Sequence, residues 1–259
     1  MNKYPFYKYQ GTGNDFVMVD NRFGVFDTND LALVRHFCDR RFGIGADGLI
    51  AIQPEKSHDF EMVYFNSDGS KSFCGNGSRC AVAFAFYLGM ISKECRFLAI
   101  DGTHTGRVLE DGRVSISVRD VQPTEIEADH HFIHTGSPHY IRYVKGLEDF
   151  PVVEEARKIR YNERFKTEGT NVNFVEELHD GIAVRTYERG VEDETLSCGS
   201  GVTACAISFA LLKNLDHHCF IKTKGGDLEV SFQREQNNSF KNIMLTGPAD
   251  FVFKGEIYA

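Results

Sequence analysis

The chain has 259 residues, 42% of them hydrophobic, which is enough for about two domains of ordinary size with well-filled cores. A formal net charge of −8 disfavours nucleic acid as a partner, because an acidic surface repels a polyanion. The seven cysteines are odd in number and include no Cys-x-x-Cys pair, so a disulfide scaffold or a zinc site is not expected. A reducing, cytoplasmic setting is expected instead. Residues 1–5 lack the apolar stretch of a signal peptide, and the longest apolar run, residues 81–91, is too short to cross a bilayer.

The first half begins with a strand around residues 16–19, followed by a charged helix over residues 29–40. A further strand at Phe60–Asn66 leads to an apolar helix over residues 76–89. The helix is expected to stop at Gly89, because a glycine is a common signal for a helix C-terminus. Short strands with glycine turns close this half.

The second half repeats this order. A strand at residues 140–143, a charged helix over 153–161, a strand at Gly181–Glu188 and an apolar helix over 200–214 follow one another. Matching stretches lie at offsets of about 121 to 124 residues, and an ordered series at nearly one offset indicates a duplication. We therefore predict an α+β chain of two similar domains, each with a central helix.

We place the first domain at residues 1–120 plus 248–259 and the second at residues 121–247, with the boundary near Pro123. The last strand, residues 251–257, is expected to return to the sheet of the first half.

Two cysteines occupy matching positions, Cys74 in Cys-Gly-Asn-Gly and Cys198 in Cys-Gly-Ser-Gly, each just before a predicted helix. Such a position lowers a thiol's pKa, because helix N-terminal amides stabilise the thiolate. The same amides suit a carboxylate. The pair therefore suggests proton transfer at a carbon beside a carboxylate, with one sulfur removing a proton and the other delivering one from the opposite face. The remaining cysteines are expected in the core: Cys38, Cys80, Cys95, Cys205 and Cys219.

Other functions fit the sequence less well. A non-catalytic amino-acid-binding protein would keep both thiols only as packing, and a thiol redox protein favours a Cys-x-x-Cys pair. Residues 43–48 match the dinucleotide fingerprint formally, but they precede a strand instead of following one. His130-His131 and His217-His218 lack metal-ligand spacing and are expected to be solvated. We expect no metal and no cofactor, including pyridoxal phosphate.

At this point the chain resembles the diaminopimelate epimerase family nearly from end to end. The resemblance is carried by five stretches: residues 13–16, 43–47, 65–80, 187–190 and 194–201. It implies two pseudo-symmetric domains, each a barrel-like mixed or antiparallel sheet wrapped around a central helix. It also implies a homodimer that interconverts LL- and meso-2,6-diaminopimelate without a cofactor, in lysine and peptidoglycan-precursor biosynthesis.

The resemblance assigns roles residue by residue. Cys74 and Cys198 would be the catalytic acid and base. The amides of four residues would hold the reacting carboxylate: Gly75, Asn76, Gly199 and Ser200. Glu188 and His139 would bind the reacting amine and influence thiol ionisation. The distal end of the substrate would be read by Asn14, Asn66, Asn171 and Arg189.

The chain departs from the family pattern at two places. Many relatives have asparagine at the position of Ser137, and some have glutamine at that of Gly48, so distal recognition should differ in detail. A proline or hydroxyproline racemase relative is the alternative enzyme. Those relatives typically have histidine where this chain has Asn76.

Overall fold

The computed structural model describes residues 2–122 and 125–259. Met1, where the predicted N-terminal stretch begins, and Pro123 and Thr124, at the predicted domain boundary, lie outside the described residues. The chain forms two compact units. One runs to Ile116 and resumes over Gly247–Ala259, and the other spans Ser117–Thr246.

The first unit contains eight strands in one continuous series of pairings. In chain order they are β1 (Lys3–Gly11), β2 (Asn14–Asp20), β3 (Gly48–Gln53), β4 (Phe60–Asn66), β5 (Glu94–Ala99), β6 (Gly102–Val108), β7 (Val114–Ser117) and, after the second unit, β17 (Asp250–Tyr258). β17 pairs antiparallel with β1, so the C-terminal strand does return to the first half. From β1 to β7 each strand pairs with the next, antiparallel except for the parallel pairs β2–β3 and β4–β5.

The second unit repeats this pattern. Its strands are β8 (Glu125–Ile126), β9 (His131–His134), β10 (Pro138–Tyr143), β11 (Asn171–Leu178), β12 (Gly181–Glu188), β13 (Asp193–Thr195), β14 (His218–Thr223), β15 (Gly226–Arg234) and β16 (Phe240–Gly247). The pairs β10–β11 and β12–β14 are parallel, and the pairs β9–β10, β11–β12, β14–β15 and β15–β16 are antiparallel. β8 adds to β9 as β17 adds to β1, and β13 forms a hairpin with β12.

Each unit wraps its sheet around one helix. α2 (Gly75–Tyr87) contacts strands β1, β2, β3, β4 and β6, and α4 (Gly199–Lys213) contacts β9, β10, β11, β12, β14 and β15. Both helices bury side chains on nearly every face, which explains why their sequences are apolar all round. The predicted fold class, α+β with two similar halves and a central helix in each, is confirmed.

Both central helices end in a left-handed residue. Gly89 follows α2 with φ +69°, its N–H donating to Phe86 O, while Met90 N–H donates to Ala85 O. This is the Schellman arrangement, in which two last-turn carbonyls find donors. Asn214 has φ +57° at the end of α4. The glycine stop predicted for the first of these helices is therefore confirmed.

Three short helices pack on the outside of the two sheets. α1 (Leu31–Cys38) is capped by Asp30, whose carboxylate accepts from Leu33 N–H at 2.9 Å. α3 (Val152–Arg160) follows a 3-10 turn at Leu147–Asp149. None of the helices in the described ranges has the length and apolar character that crossing a bilayer requires.

Strand register gives a residue-by-residue correspondence between the halves. Phe16 pairs with Gly48, and His139 pairs with Asn171. Following the same strands, the corresponding positions are Gly48 with Asn171, Ile50 with Asn173, Tyr64 with Thr186, and Asn66 with Glu188. The duplication therefore has a structural register, against which differences between the halves can be measured.

Candidate active site

Cys74 is the N-cap of α2. Its backbone is extended, and its sulfur accepts the Gly77 N–H at 3.3 Å. The first intrahelical bond runs from Ser78 N–H to Cys74 O, so the amides of Gly75 and Asn76 lie ahead of the helical ladder. These are the two amides that the resemblance assigns to a carboxylate.

Asn14 lies beside this sulfur at the start of β2. Its Oδ1 is 3.8 Å from Cys74 Sγ, and its Nδ2 donates to Asp47 Oδ2 at 2.5 Å. Because a carboxylate only accepts, Asp47 fixes the amide so that its oxygen faces the thiol.

A charged network holds the turn around Asn14. Arg40 bridges Asp15 and Asp47 at 2.7 Å each, and Lys8 pairs with Asp15 at 2.7 Å. Despite desolvation, hydrogen bonds and charge from Arg40 and Lys8 lower the pKa of Asp15 to about 2. Asp15 therefore stays ionised, and the ion pairs cross-link the backbone around Asn14.

Arg79 is a buried cation one turn into α2. It is fully buried, its Nη2 donates to Thr12 Oγ1 and its Nε to Pro248 O, each at 3.2 Å, and its Nη1 has no hydrogen-bond partner among the described residues. Thr12 adopts the left-handed conformation, φ +52°, just before the Asn14 turn. Burial lowers the pKa of Arg79 to about 10, and the nearby thiols of Cys74 and Cys80 oppose that shift.

Asn66 ends β4 directly opposite Gly48. Its Oδ1 accepts from Tyr64 Oη at 2.9 Å, and its Nδ2 donates to Ser70 Oγ at 2.9 Å. A Cβ at Gly48 would lie 2.5 Å from the Tyr64 ring. The tyrosine therefore fills the space that a side chain at position 48 needs.

Cys198 is the N-cap of α4 and is 6% exposed. Its sulfur lies 3.5 Å from Ser200 Oγ, and Ser200 Oγ lies 3.0 Å from His139 Nε2. The first intrahelical bond, from Val202 N–H to Cys198 O, leaves the amides of Gly199 and Ser200 ahead of the ladder. His139 is fully buried, and desolvation with smaller effects of His134 and Arg189 lowers its pKa to about 3, so the ring is neutral.

The other predicted residues of the second half lie at strand ends. Asn171 begins β11, and its side chain donates to Pro138 O at 3.1 Å and accepts from Arg189 N–H at 2.9 Å. The exposed Arg189 reaches Glu168 O at 2.9 Å. Glu188 ends β12 and accepts from Thr195 Oγ1 at 3.0 Å.

In each unit, some of the predicted residues lie beside the cysteine. In the first, Asn14 contacts Cys74; in the second, His139 and Ser200 form a chain to Cys198. Sequence reasoning missed Arg79, Asn173 and Thr186. Arg79 carried a signal, because it is a charged residue in a buried helix segment whose other residues are uncharged.

The expectation for one histidine is wrong. His131 is 3% exposed, and its Nδ1 lies 2.7 Å from Ser208 Oγ. It faces the sheet interior on β9, where a strand alternates sides and a histidine with a partner can be buried.

The five remaining cysteines are buried, as predicted: Cys38, Cys80, Cys95, Cys205 and Cys219. Desolvation raises the pKa of each of them, so they remain neutral thiols. Residues 2–122 and 125–259 contain no cluster of three or more acidic, histidine or cysteine side chains suited to a metal ion.

The fold is shared by solved structures with little sequence likeness. A phenazine biosynthesis protein of the PhzF family from Bacillus anthracis aligns with a TM-score of 0.77 at 14% identity, covering 100% of both chains. A hydroxyproline epimerase from Agrobacterium vitis aligns with a TM-score of 0.72 at 15% identity, covering 98% of this chain and 92% of that one. These similarities define the fold class of two halves that each enclose a helix.

The family is defined by sequence. The family model described as diaminopimelate epimerase matches residues 6–122 and 131–252. Diaminopimelate epimerase of Flavobacterium psychrophilum is 49% identical over 97% of this chain and 99% of its own, and that of Chlorobaculum tepidum is 42% identical over 95% and 98%. The chain belongs to the diaminopimelate epimerase family and is an enzyme of the isomerase class.

Proposed function

We propose that this enzyme interconverts LL- and meso-2,6-diaminopimelate by moving one proton at an α-carbon, with Cys74 and Cys198 as the two bases. The observation that carries the proposal is the matched placement of these thiols. Each is the N-cap of the central helix of its half, and none of the other five cysteines lies at the N-terminus of a helix in the described part of the chain. Membership of the family supports the choice of substrate.

The proton balance needs one thiolate and one thiol. The thiolate takes the α-proton from one face, and the electron pair left on carbon delocalises into the adjacent carboxylate. The thiol on the opposite face then gives its proton to the carbon. The product has the inverted configuration, and the two sulfurs have exchanged roles, so no cofactor is consumed.

The helix N-termini stabilise the charge that develops on the carboxylate. Four amides would donate to it: those of Gly75, Asn76, Gly199 and Ser200. A well-placed donor of this kind is worth about 3 to 4 kcal/mol in other enzymes. No pyridoxal phosphate is required in this scheme, because delocalisation into the carboxylate replaces delocalisation into a cofactor ring.

The remaining predicted residues would bind the two ends of the substrate. Glu188 is an acceptor for the reacting ammonium, and Arg189 can hold a carboxylate with its planar guanidinium. Asn14, Asn66 and Asn171 can donate or accept without adding charge. A distal ammonium and carboxylate distinguish diaminopimelate from a ring substrate such as proline.

Deuterium exchange tests the reaction. Reduced enzyme with LL-diaminopimelate in D₂O and no added cofactor should place one solvent deuterium at the α-carbon as the meso form appears. Cys74→Ala and Cys198→Ala should each abolish epimerisation. Cys205→Ala, which removes a buried thiol from the same helix as Cys198, should keep it. Full turnover by either of the first two variants refutes the assignment, and turnover of proline alone favours the racemase alternative.

We also propose a cytoplasmic homodimer that works in lysine and peptidoglycan-precursor biosynthesis. β17 supports the dimer, because it pairs with β1 and carries four large exposed side chains: Phe251, Val252, Phe253 and Tyr258. A strand with this many exposed large apolar side chains is a candidate for an interface. Light scattering should give a mass twice the 29.3 kDa of one chain. In Phe253→Asp, the measured mass should fall toward that of a single chain.

A further inference from the structure

A directed chain of hydrogen bonds runs through the interior of the second half. Thr186 Oγ1 lies 2.9 Å from Asn173 Oδ1, and an amide oxygen can only accept. The amide nitrogen of Asn173 therefore points the other way, where it donates to Tyr140 O at 3.1 Å and to His139 Nδ1 at 3.2 Å. Because Nδ1 accepts, the neutral imidazole carries its proton on Nε2.

This tautomer determines what the serine hydroxyl does. His139 Nε2–H donates to Ser200 Oγ at 3.0 Å, which leaves the hydroxyl hydrogen of Ser200 to donate to another acceptor. Cys198 Sγ lies 3.5 Å from that oxygen. A hydrogen bond donated to sulfur is stronger when the sulfur is ionised, so it favours the thiolate.

We propose that Asn173, held by Thr186, is a positioning residue of the second cysteine: it fixes the tautomer of His139 so that Ser200 donates a hydrogen bond to the Cys198 thiolate. The inference rests on the proposed function, because a stabilised thiolate matters only if Cys198 exchanges protons with a substrate.

The first half shows that the fold does not require this chain. At the positions of His139 and Asn173 it has Phe16 and Ile50, both fully buried and apolar. The sheet and the helix around Cys74 form without a polar side chain at either place. The polar residues of the second half therefore serve its cysteine and not its architecture.

Asn173 lies directly beneath the first turn of α4. A Cβ at Gly201 would lie 2.6 Å from Asn173 Oδ1 and 3.4 Å from Cys198 Sγ. Only glycine lets the amide approach this closely. In the first half, the corresponding Gly77 faces Ile50 and Phe16 at 3.1 and 3.4 Å.

Burial, reinforced by nearby groups, keeps the ring of His139 neutral. His134 of β9 and the cation of Arg189 both act on His139 to lower its pKa, and Cys205 of α4 interacts with Cys198 while its own pKa is raised by burial. His139 therefore acts as a neutral ring. The contact between His131 and Ser208 is about 12 Å farther along α4 than Ser200.

Alkylation of individual cysteines tests the proposal without needing catalysis. The rate at which iodoacetamide modifies Cys198 in the reduced full chain, followed by peptide mass spectrometry against pH, gives its apparent pKa. Asn173→Leu should raise that pKa by about one unit, which makes modification roughly tenfold slower at neutral pH. Cys74 in the same sample is the internal reference and should not shift.

Ser208→Ala is the matched control. It breaks the His131–Ser208 contact of 2.7 Å, another buried histidine–serine pair on the same helix, and should leave the Cys198 pKa unchanged. Thr186→Val keeps Asn173 and loses only the bond that orients it, so we expect a smaller shift in the same direction. It serves as the test if Asn173→Leu does not fold.

A double-mutant cycle separates positioning from general packing. If Asn173 acts through Ser200, Asn173→Leu should add no further shift in a Ser200→Ala background. An additive shift, or an unchanged Cys198 pKa in folded Asn173→Leu and Thr186→Val, overturns the proposal. If the wild-type enzyme epimerises but the Cys198 pKa is the same in the variants as in the wild type, only the role of the hydrogen-bond chain is refuted. If the wild-type enzyme does not epimerise, the proposed function is refuted.

Discussion

Adding one methyl group at two matched glycines should have very unequal effects on stability. Gly77 and Gly201 each occupy the third position of a central helix, three residues after its cysteine. At Gly77, a Cβ would lie 3.1 Å from Ile50 Cδ1, the end of a flexible side chain that can yield by a few tenths of an ångström. Alanine also gains up to about 1 kcal/mol of helix propensity. Gly77→Ala should therefore change the free energy of unfolding by less than about 1 kcal/mol.

At Gly201 the new methyl would lie 2.6 Å from Asn173 Oδ1. That oxygen cannot retreat without losing the bond from Thr186 at 2.9 Å, and rotation of the amide breaks its contact with His139. Overpacking costs about 1 to 3 kcal/mol, and a buried polar group left unsatisfied costs about as much again. After the gain in helix propensity, Gly201→Ala should be destabilised by roughly 3 kcal/mol.

Urea unfolding followed by circular dichroism measures both variants, and deuterium exchange into LL-diaminopimelate measures their activity. We expect Gly201→Ala to lose activity as well as stability, because the displaced amide releases the His139 tautomer. A Gly201→Ala protein as stable as Gly77→Ala would refute the view that Asn173 is rigidly held under the helix.

Three further outcomes follow from the buried groups. His139 has a pKa of about 3 in the folded protein, against an ordinary value of 6.5. Between pH 3 and 6.5 it therefore takes up a proton when the protein unfolds. Its contribution to the free energy of unfolding is complete above about pH 6.5 and is lost as the pH falls. His139→Gln should flatten the pH dependence of urea unfolding there by up to about 1.4 kcal/mol per pH unit, and an unaltered slope would contradict the assignment. Arg79→Met removes a buried cation, so alkylation kinetics should show a raised pKa for Cys74, and an equal or lower one would contradict that electrostatic role. Tyr64→Phe removes the donor that holds Asn66 Oδ1 at 2.9 Å, so the KM for diaminopimelate should rise several-fold with a smaller change in kcat; an unchanged KM would show that the tyrosine only fills space.

Much of the architecture could be predicted because its signals are local or repeated. The two central helices are apolar all round, and they end within two residues of the predicted positions. The strands Phe60–Asn66 and Gly181–Glu188 have the predicted bounds. The return of the last strand to the first half was predicted, but its partner β1 could not be, because strand pairing joins segments that are distant in sequence.

The candidate active site could likewise be predicted only in part. A cysteine at a helix N-terminus is visible in sequence, since the glycines and the helix that follows are adjacent to it. Asn173 and Thr186 are 34 and 47 residues from His139, so nothing local connects them with the second cysteine. Arg79 sits close to Cys74 in sequence, but its burial and its unpaired Nη1 emerge only when β1 and the C-terminal segment close around the helix.

The two halves share a fold but surround their cysteines with different groups. A two-base reaction benefits from this difference. In the proposed mechanism, the reactive state holds one thiolate and one thiol. Two independent thiols with equal pKa values reach that state in at most half of the molecules, whereas two with well-separated values reach it almost completely at a pH between them. Cys198 has a hydrogen-bond chain from Asn173, while Cys74 has a helix amide, an asparagine oxygen and a buried guanidinium nearby. Unequal surroundings on a duplicated scaffold are therefore a means of separating two ionisations that symmetry would make equal.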